Sequence, residues 1–157
     1  MPKDEYEATR YVSTAGWDGI QPTAIKNAIC TATVLTDGLT KASVRRSVYI
    51  EGAGYSDCEI RHELVKLDYD ERRMREDIVR LAGPSRTPDM RWRAEYLEWS
   101  AEFTMRYNRH IISTEQLLHL IVLAGESIGL YEGRPERSAL AWGRFQLDMN
   151  STVREVA

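Results

Sequence analysis

Hydrophobic and polar positions alternate with two different periods along this chain, and the switches between them mark out its elements. At 98–107, Trp99, Ala101, Phe103, Met105 and Tyr107 alternate with Glu98, Ser100, Glu102, Thr104 and Arg106. Period two over that length predicts a strand with one buried and one wet face. From 22 the period becomes helical, in a helix expected to end near Asp37-Gly38. Ile25, Ala28, Ile29 and Ala32 recur on one side, with Lys26, Asn27 and Thr31 elsewhere. Pro22 suits the first turn, where its missing N–H costs nothing. A second helix is predicted over 113–128, where Ser113 and Gln116 make a capping box. Leu117, Leu118, Ile121, Val122, Ala124, Gly125 and Ile128 form its apolar face, and Glu115, His119 and Glu126 point to water.

Three shorter runs read as strands. They are 7–13 (Thr9, Tyr11 and Val12, before Ala15-Gly16), 47–50 (Ser-Val-Tyr-Ile, closed by Glu51-Gly52) and 144–149 (Arg-Phe-Gln-Leu-Asp-Met). The order is strand, helix, strand, an insertion at 52–96, then strand, helix, strand. Two split β-α-β units predict one α+β domain over 1–157, a ferredoxin-like, RNA-recognition-motif-like antiparallel sheet with both helices on one face. The other face is left for a partner. In the inserted arm, 60–70 and 89–97 alternate like strands about a turn at Gly83-Pro84-Ser85, so a hairpin is expected. Met74, Ile78 and Leu81 follow helical spacing, and Arg72 and Glu76 stand four apart, so 72–82 is read as either helix or strand.

Length and composition fit this picture. A chain of 157 residues, 43% apolar and 29% charged, can bury a core without staples. Cys30 and Cys58 match neither a zinc spacing nor a redox pair, and read as free thiols in a reducing compartment. The charged start, Met1-Pro2-Lys3-Asp4-Glu5, is unlike a secretory signal, and the greasiest run, 117–125, is far below the ~20 residues of a membrane span. The expected place is the cytoplasm.

Charge changes the picture more. The net value is −3, but residues 72–109 carry nine basic and six acidic side chains, and all nine are arginine. The flanks carry 8 against 12 and 4 against 6, so a cationic middle lies between acidic ends. In the arm Arg75, Arg80, Arg91 and Arg93 are interleaved with Trp92 and Tyr96. Guanidinium forks grip phosphates, and aromatic rings stack on unpaired bases. The same residues suit a protein interface, and they can also pair internally with Glu76, Asp77, Asp89 and Glu95.

Catalytic chemistry is not indicated. His62, His110 and His119 are scattered without a metal-ligand spacing, and no phosphate-binding loop or nucleophile elbow occurs. The acidic run Asp68-Tyr69-Asp70-Glu71 lacks the glycine of a calcium loop and reads as a solvated turn. No cofactor or metal is expected.

An ordered set of short segments resembles a family of small, functionally unassigned proteins of tailed bacteriophages and prophages. The set runs through 74–80, 87–93, 98–101 and 113–116, then Ala124-Gly125, Gly129-Leu130, Arg134-Pro135 and Gly143-Arg144-Phe145. The family is similar in layout to the RAMP superfamily, whose members include ferredoxin-like backbone subunits of CRISPR complexes. The resemblance implies a phage protein in the host cytoplasm or the virion, and adds Arg134 and Arg144 to the candidate nucleic-acid contacts. Their other reading is the capping of loop carbonyls. Gly133 replaces the family's aromatic residue before Arg-Pro, and the family's opening apolar strand is missing, which leaves the sheet one strand short or makes 6–13 its substitute.

Two functions follow as expectations. One is a non-enzymatic protein that binds single-stranded RNA or DNA through the arm and sheet face as a homo-oligomer. The other is a structural or assembly protein whose arm makes subunit contacts.

Overall fold

The computed structural model describes residues 1–148, a mixed α+β chain with antiparallel ladders. Its elements are α1 (Pro2–Ala8), β1 (Gly19–Ile20), α2 (Pro22–Thr31), α3 (Lys41–Ser47), β2 (Val48–Glu51), β3 (Gly54–Tyr55) and β4 (Glu63–Asp68). They continue with β5 (Glu71–Arg80), β6 (Pro88–Leu97), β7 (Ser100–Ala101), β8 (Thr104–Tyr107) and α4 (Thr114–Leu123). The chain forms two compact units, one of Met1–Gln21 with Glu51–Thr104, the other of Pro22–Ile50 with Met105 onward.

In the first unit β4 is the hub. β1, β3 and β7 each pair with it antiparallel, and its Leu64, Val65 and Leu67 join Ile20 in the core. Close packing here requires glycine: a Cβ on Gly54 would lie 2.8 Å from the Trp17 ring. A hairpin is present as a separate two-stranded sheet, but not from the expected runs: β5 pairs β6 in unbroken register from Glu71↔Leu97 to Arg80↔Pro88, while the alternating run 60–70 supplies β4 of the other sheet, because its buried Leu64, Val65 and Leu67 belong to the core. The segment 72–82 is therefore strand down to Arg80. Met74 and Ile78 lie on one side of it because residues four apart share a side in a strand as they do on a helix.

Two expected strands are corrected, 7–13 in this unit and 98–107, which runs from it into the second. The run 7–13 is not a strand. Pro2 starts a helix whose first turn carries Asp4 and Glu5, charges that suit the helix N-terminus, and only Val12 and Ser13 make single bridges, to Asp18 and Ser56. The run 98–107 is interrupted. Glu98 takes φ 47, β7 covers only two residues, and the ladder resumes at β8 with a different partner, β2. Odd positions from Trp99 to Tyr107 are nonetheless half-buried and even ones exposed. The alternation reports which side is wet; it does not choose the neighbouring strand.

In the second unit α2 and α4 form over the periodic runs, but α2 ends at Thr31 and gives way to a 3-10 turn over Ala32–Leu35 before the expected end near Asp37-Gly38, and α3 was not expected. Ile25, Ala28 and Ile29 of α2 are buried, and α2 packs on α3 and α4. Ser113 Oγ accepts from the Gln116 N–H at 3.1 Å, and Gln116 Oε1 accepts from the Ser113 N–H at 2.9 Å. Leu117, Leu120, Ile121, Ala124 and Ile128 are buried, Leu118 is half-buried, and Val122 faces outward, so the apolar face is centred on Leu120, not Val122. Each fully buried Leu or Ile contributes about 1.5–3 kcal/mol. A second capping box, Thr40 with Ser43, starts α3. The expected strand at 144–149 is absent over 144–148, and Met149 lies outside the described residues.

Candidate functional site

Strand alternation sorts the arm's side chains onto two faces. The odd positions of β5 and β6 place Arg73, Arg75, Arg91 and Arg93 with Glu71, Asp77, Asp89 and Glu95, four arginines against four carboxylates. The ladder is joined. Arg73 Nε reaches Glu95 at 2.6 Å, Arg75 bonds both Asp77 (3.0 Å) and Glu95 (2.9 Å), and Arg93 reaches Asp77 at 3.2 Å. Arg91 pairs with Asp89 at 2.9 Å. The hydrogen bond from Arg73 holds the Glu95 carboxyl below the usual range, against partial burial, with Arg75 adding to it. This face has no surplus charge to attract a polyanion.

The even positions carry most of the apolar side chains. Met74, Ile78, Met90, Trp92 and Ala94 share that face with Arg72, Glu76 and Arg80, in the register Met74↔Ala94, Glu76↔Trp92 and Ile78↔Met90. Ile78 is 73% exposed, Met74 49% and Met90 39%. Trp92 is half-buried. Arg80 also belongs to this side and donates to the Arg86 carbonyl across the turn. Arg75, Arg91 and Arg93 are thus brought together on one face, while Arg80 and Trp92 lie on the other.

The base of the arm is tied down by a buried node that sequence reading missed. The Asp18 side chain is 0% exposed. Its Oδ1 accepts from Arg10 Nε (3.2 Å) and Nη2 (2.7 Å), and its Oδ2 from Arg72 Nη1 (2.7 Å) and the Tyr69 hydroxyl (3.2 Å). Burial alone would push the Asp18 carboxyl up, but the bonds and charges of Arg10 and Arg72 outweigh it and hold it low. The bond to Asp18 raises the Arg72 guanidinium, against burial, and its Nε donates to the Tyr6 hydroxyl at 2.8 Å. Burial, then the Asp18 charge, pushes the Tyr96 hydroxyl up, and its ring meets Tyr69 edge-on at 5.0 Å. The Ala94 N–H donates to Thr9 Oγ1 at 3.0 Å, so α1, the Asp18 turn and the hairpin are joined in one network. With each guanidinium engaged by a carboxylate, the node is suited to holding the arm.

Arg134 and Arg144 belong to the second unit, where both cap carbonyls. Arg134 Nη1 donates to the Tyr131 carbonyl (2.8 Å) and pairs with Glu136 (2.9 Å), and Arg144 Nε donates to the Glu126 carbonyl (3.0 Å). The glycines around them are packing positions. A Cβ on Gly125 would fall 2.0 Å from the Phe145 carbonyl oxygen, which the Phe145 N–H···Gly125 carbonyl bond (3.1 Å) draws in. Gly125 sits in a π turn, 124–128, that ends α4.

Among the described residues no three His, Cys, Asp or Glu side chains are grouped to hold a metal ion, and no helix is long and apolar enough to cross a membrane. Cys30 is buried and Cys58 exposed, both as free thiols. The hairpin carries a formally neutral ion-pair ladder on one face and exposed apolar side chains on the other. Compared with protein-family models, curated proteins and solved structures, the chain matches none.

Proposed function

We propose that this chain is a non-enzymatic assembly protein whose hairpin makes subunit contacts with further copies of itself. One observation carries the reading: the hairpin's arginine face is neutralised by its own carboxylates, while its other face leaves Ile78 73% and Met74 49% exposed. Exposed apolar surface of this kind on a hairpin marks a contact site for protein. The reading requires no cofactor or metal. The phage-protein resemblance is compatible with a part in a particle or a multi-subunit complex. What supports a ferredoxin-like layout is β2 paired to β8, with α2 and α3 preceding β2 in the chain, α4 following β8, and β3 to β7 entering between the two strands.

Single-stranded nucleic acid is the second reading, and its support lies at the hairpin tip. Arg80, Arg86 and Arg91 stand within 78–91, where Asp89 is the sole carboxylate. The experiment pairs sedimentation velocity with fluorescence anisotropy on a single-stranded oligonucleotide, each between about 50 and 200 mM salt. Assembly through an apolar face predicts concentration-dependent association that survives the salt, with weak oligonucleotide binding. A monomer that binds the oligonucleotide tightly at low salt and releases it steeply would overturn the assembly reading.

A further inference from the structure

A second concentration of charge lies in the other unit, outside the hairpin. Residues 21–50 carry Lys26, Lys41, Arg45 and Arg46 against Asp37 alone, in a chain whose net charge is −3. The rest of that unit does not offset them, since 105–148 carries five basic and five acidic residues. The fold gathers the four. Helix α2, which bears Lys26, packs on α3, which bears the other three. Lys26 Nζ lies over the Tyr49 ring, 4.7 Å from its centroid, and the Tyr49 hydroxyl donates to the Arg46 carbonyl at 3.1 Å. Burial pushes the Cys30 thiol up, and the charges that oppose it are Lys26, Arg45 and Lys41, with no carboxylate among them.

Helix stability accounts for only part of this grouping. Arg45 and Arg46 suit the last turn of α3. Lys41 does not suit its first position, where a positive charge opposes the helix dipole, and it stands four before Arg45, where like charges repel. None of the four has a carboxylate partner among the described residues, unlike Arg73, Arg75, Arg91 and Arg93 of the hairpin. Lys41, Arg45 and Arg46 are exposed, and Tyr49 is 56% exposed on the wet side of β2. Unpaired cations around an exposed ring suit single-stranded nucleic acid: the cations take phosphates, and the ring stacks on an unpaired base.

We propose that the surface of α2, α3 and β2 around Tyr49 binds single-stranded nucleic acid, with Lys41, Arg45 and Arg46 on phosphates and Tyr49 stacked on a base. Lys26 covers one face of the ring, and the base takes the other. The site is distinct from the hairpin and independent of the assembly reading. Few phosphate contacts make it a weak site, as that reading allows.

Fluorescence anisotropy of the full chain with a labelled oligothymidylate tests it. With about three phosphates neutralised, affinity is expected to fall roughly 20-fold between about 50 and 200 mM salt. Arg45→Gln with Arg46→Gln leaves one contact, so binding weakens and the same salt change costs roughly threefold. Both positions are exposed and glutamine is a good helix former, so circular dichroism stays unchanged. Tyr49→Ala weakens binding at least about fivefold with the salt dependence kept, whereas Tyr49→Phe, which retains the ring, binds as wild type. Should Tyr49→Ala fail to fold, the arginine pair decides. Arg80→Gln with Arg86→Gln at the hairpin tip leaves binding as it is. No binding at about 50 mM salt overturns the proposal. Binding that the tip variant abolishes and the α3 variant spares also overturns it, and moves the contact to the hairpin. Binding indifferent to a folded Tyr49→Ala overturns the single-stranded assignment. Self-association in sedimentation velocity is the same in all these variants, so failure here is separable from failure of the assembly reading.

Discussion

Asp18→Ala strips the acceptor from three guanidinium N–H groups and the Tyr69 hydroxyl at once. The carboxylate is wholly buried, and the Arg10 and Arg72 side chains are only 13% and 26% exposed, so water can re-solvate little of what is left. Two positive groups would remain crowded in the gap. Removing one partner of a buried ion pair costs about 3–5 kcal/mol. For a domain of this size that is roughly 10 °C in melting temperature. Urea unfolding followed by circular dichroism gives the free energy, and a scan gives the melting point. The same node sets an acid limb. Because the folded Asp18 is held below its ordinary value, its contribution is fully present above the unfolded ~3.9 and is lost as pH falls through the lower folded value. Asp18→Asn should therefore flatten stability against pH below about 4. A compensated variant, Asp18→Leu with Arg10→Met and Arg72→Met, is expected to recover most of the loss, since an apolar replacement leaves no buried charge. If Asp18→Ala stays within about 1 kcal/mol of wild type with an unchanged denaturant slope, the node does not hold the arm's base and the reasoning fails.

Gly125→Ala brings a methyl group to within 2.0 Å of the Phe145 carbonyl oxygen, so the segment that follows must shift away from the π turn. The expected outcome is faster protease cleavage within 129–148 and a loss of about 2 kcal/mol or more, while a fully protected variant would contradict the packing. Ser113→Ala removes one half of the α4 capping box and should cost about 1 kcal/mol in urea unfolding. No loss would mean that the end of α4 is held by its neighbours instead.

The period-3.6 runs at 22–32 and 113–128 specify α2 and α4 because a helix's hydrogen bonds are local. Capping residue, apolar face and backbone partners all lie within a few positions, so the Ser113–Gln116 box is legible without tertiary knowledge. Of the hairpin, the turn at Gly83-Pro84-Ser85 and the run 89–97 were legible, but its other strand, 71–80, was not, and the run 60–70 belongs to β4 of another sheet. Strands are different, since their partners come from elsewhere. The alternation at 98–107 survives as exposure, yet Glu98 breaks the strand and the two pieces join different ladders, a choice that local pattern does not contain. The β-favouring Thr9 caps the end of α1 instead of entering a strand, and the contacts that fix this segment come from afar: Thr9 bonds Ala94 and Tyr6 bonds Arg72, 85 and 66 residues away along the chain. The arm's arginines were visible as a cluster. That the odd ones face Asp77, Asp89 and Glu95, leaving Met74 and Ile78 on the outer side, depended on whether 72–82 was helix or strand, and spacing of four fits both. Asp18 carried no signal at all. Its partners lie 8 and 54 residues away, and only the folded backbone brings two arginines onto one buried carboxylate.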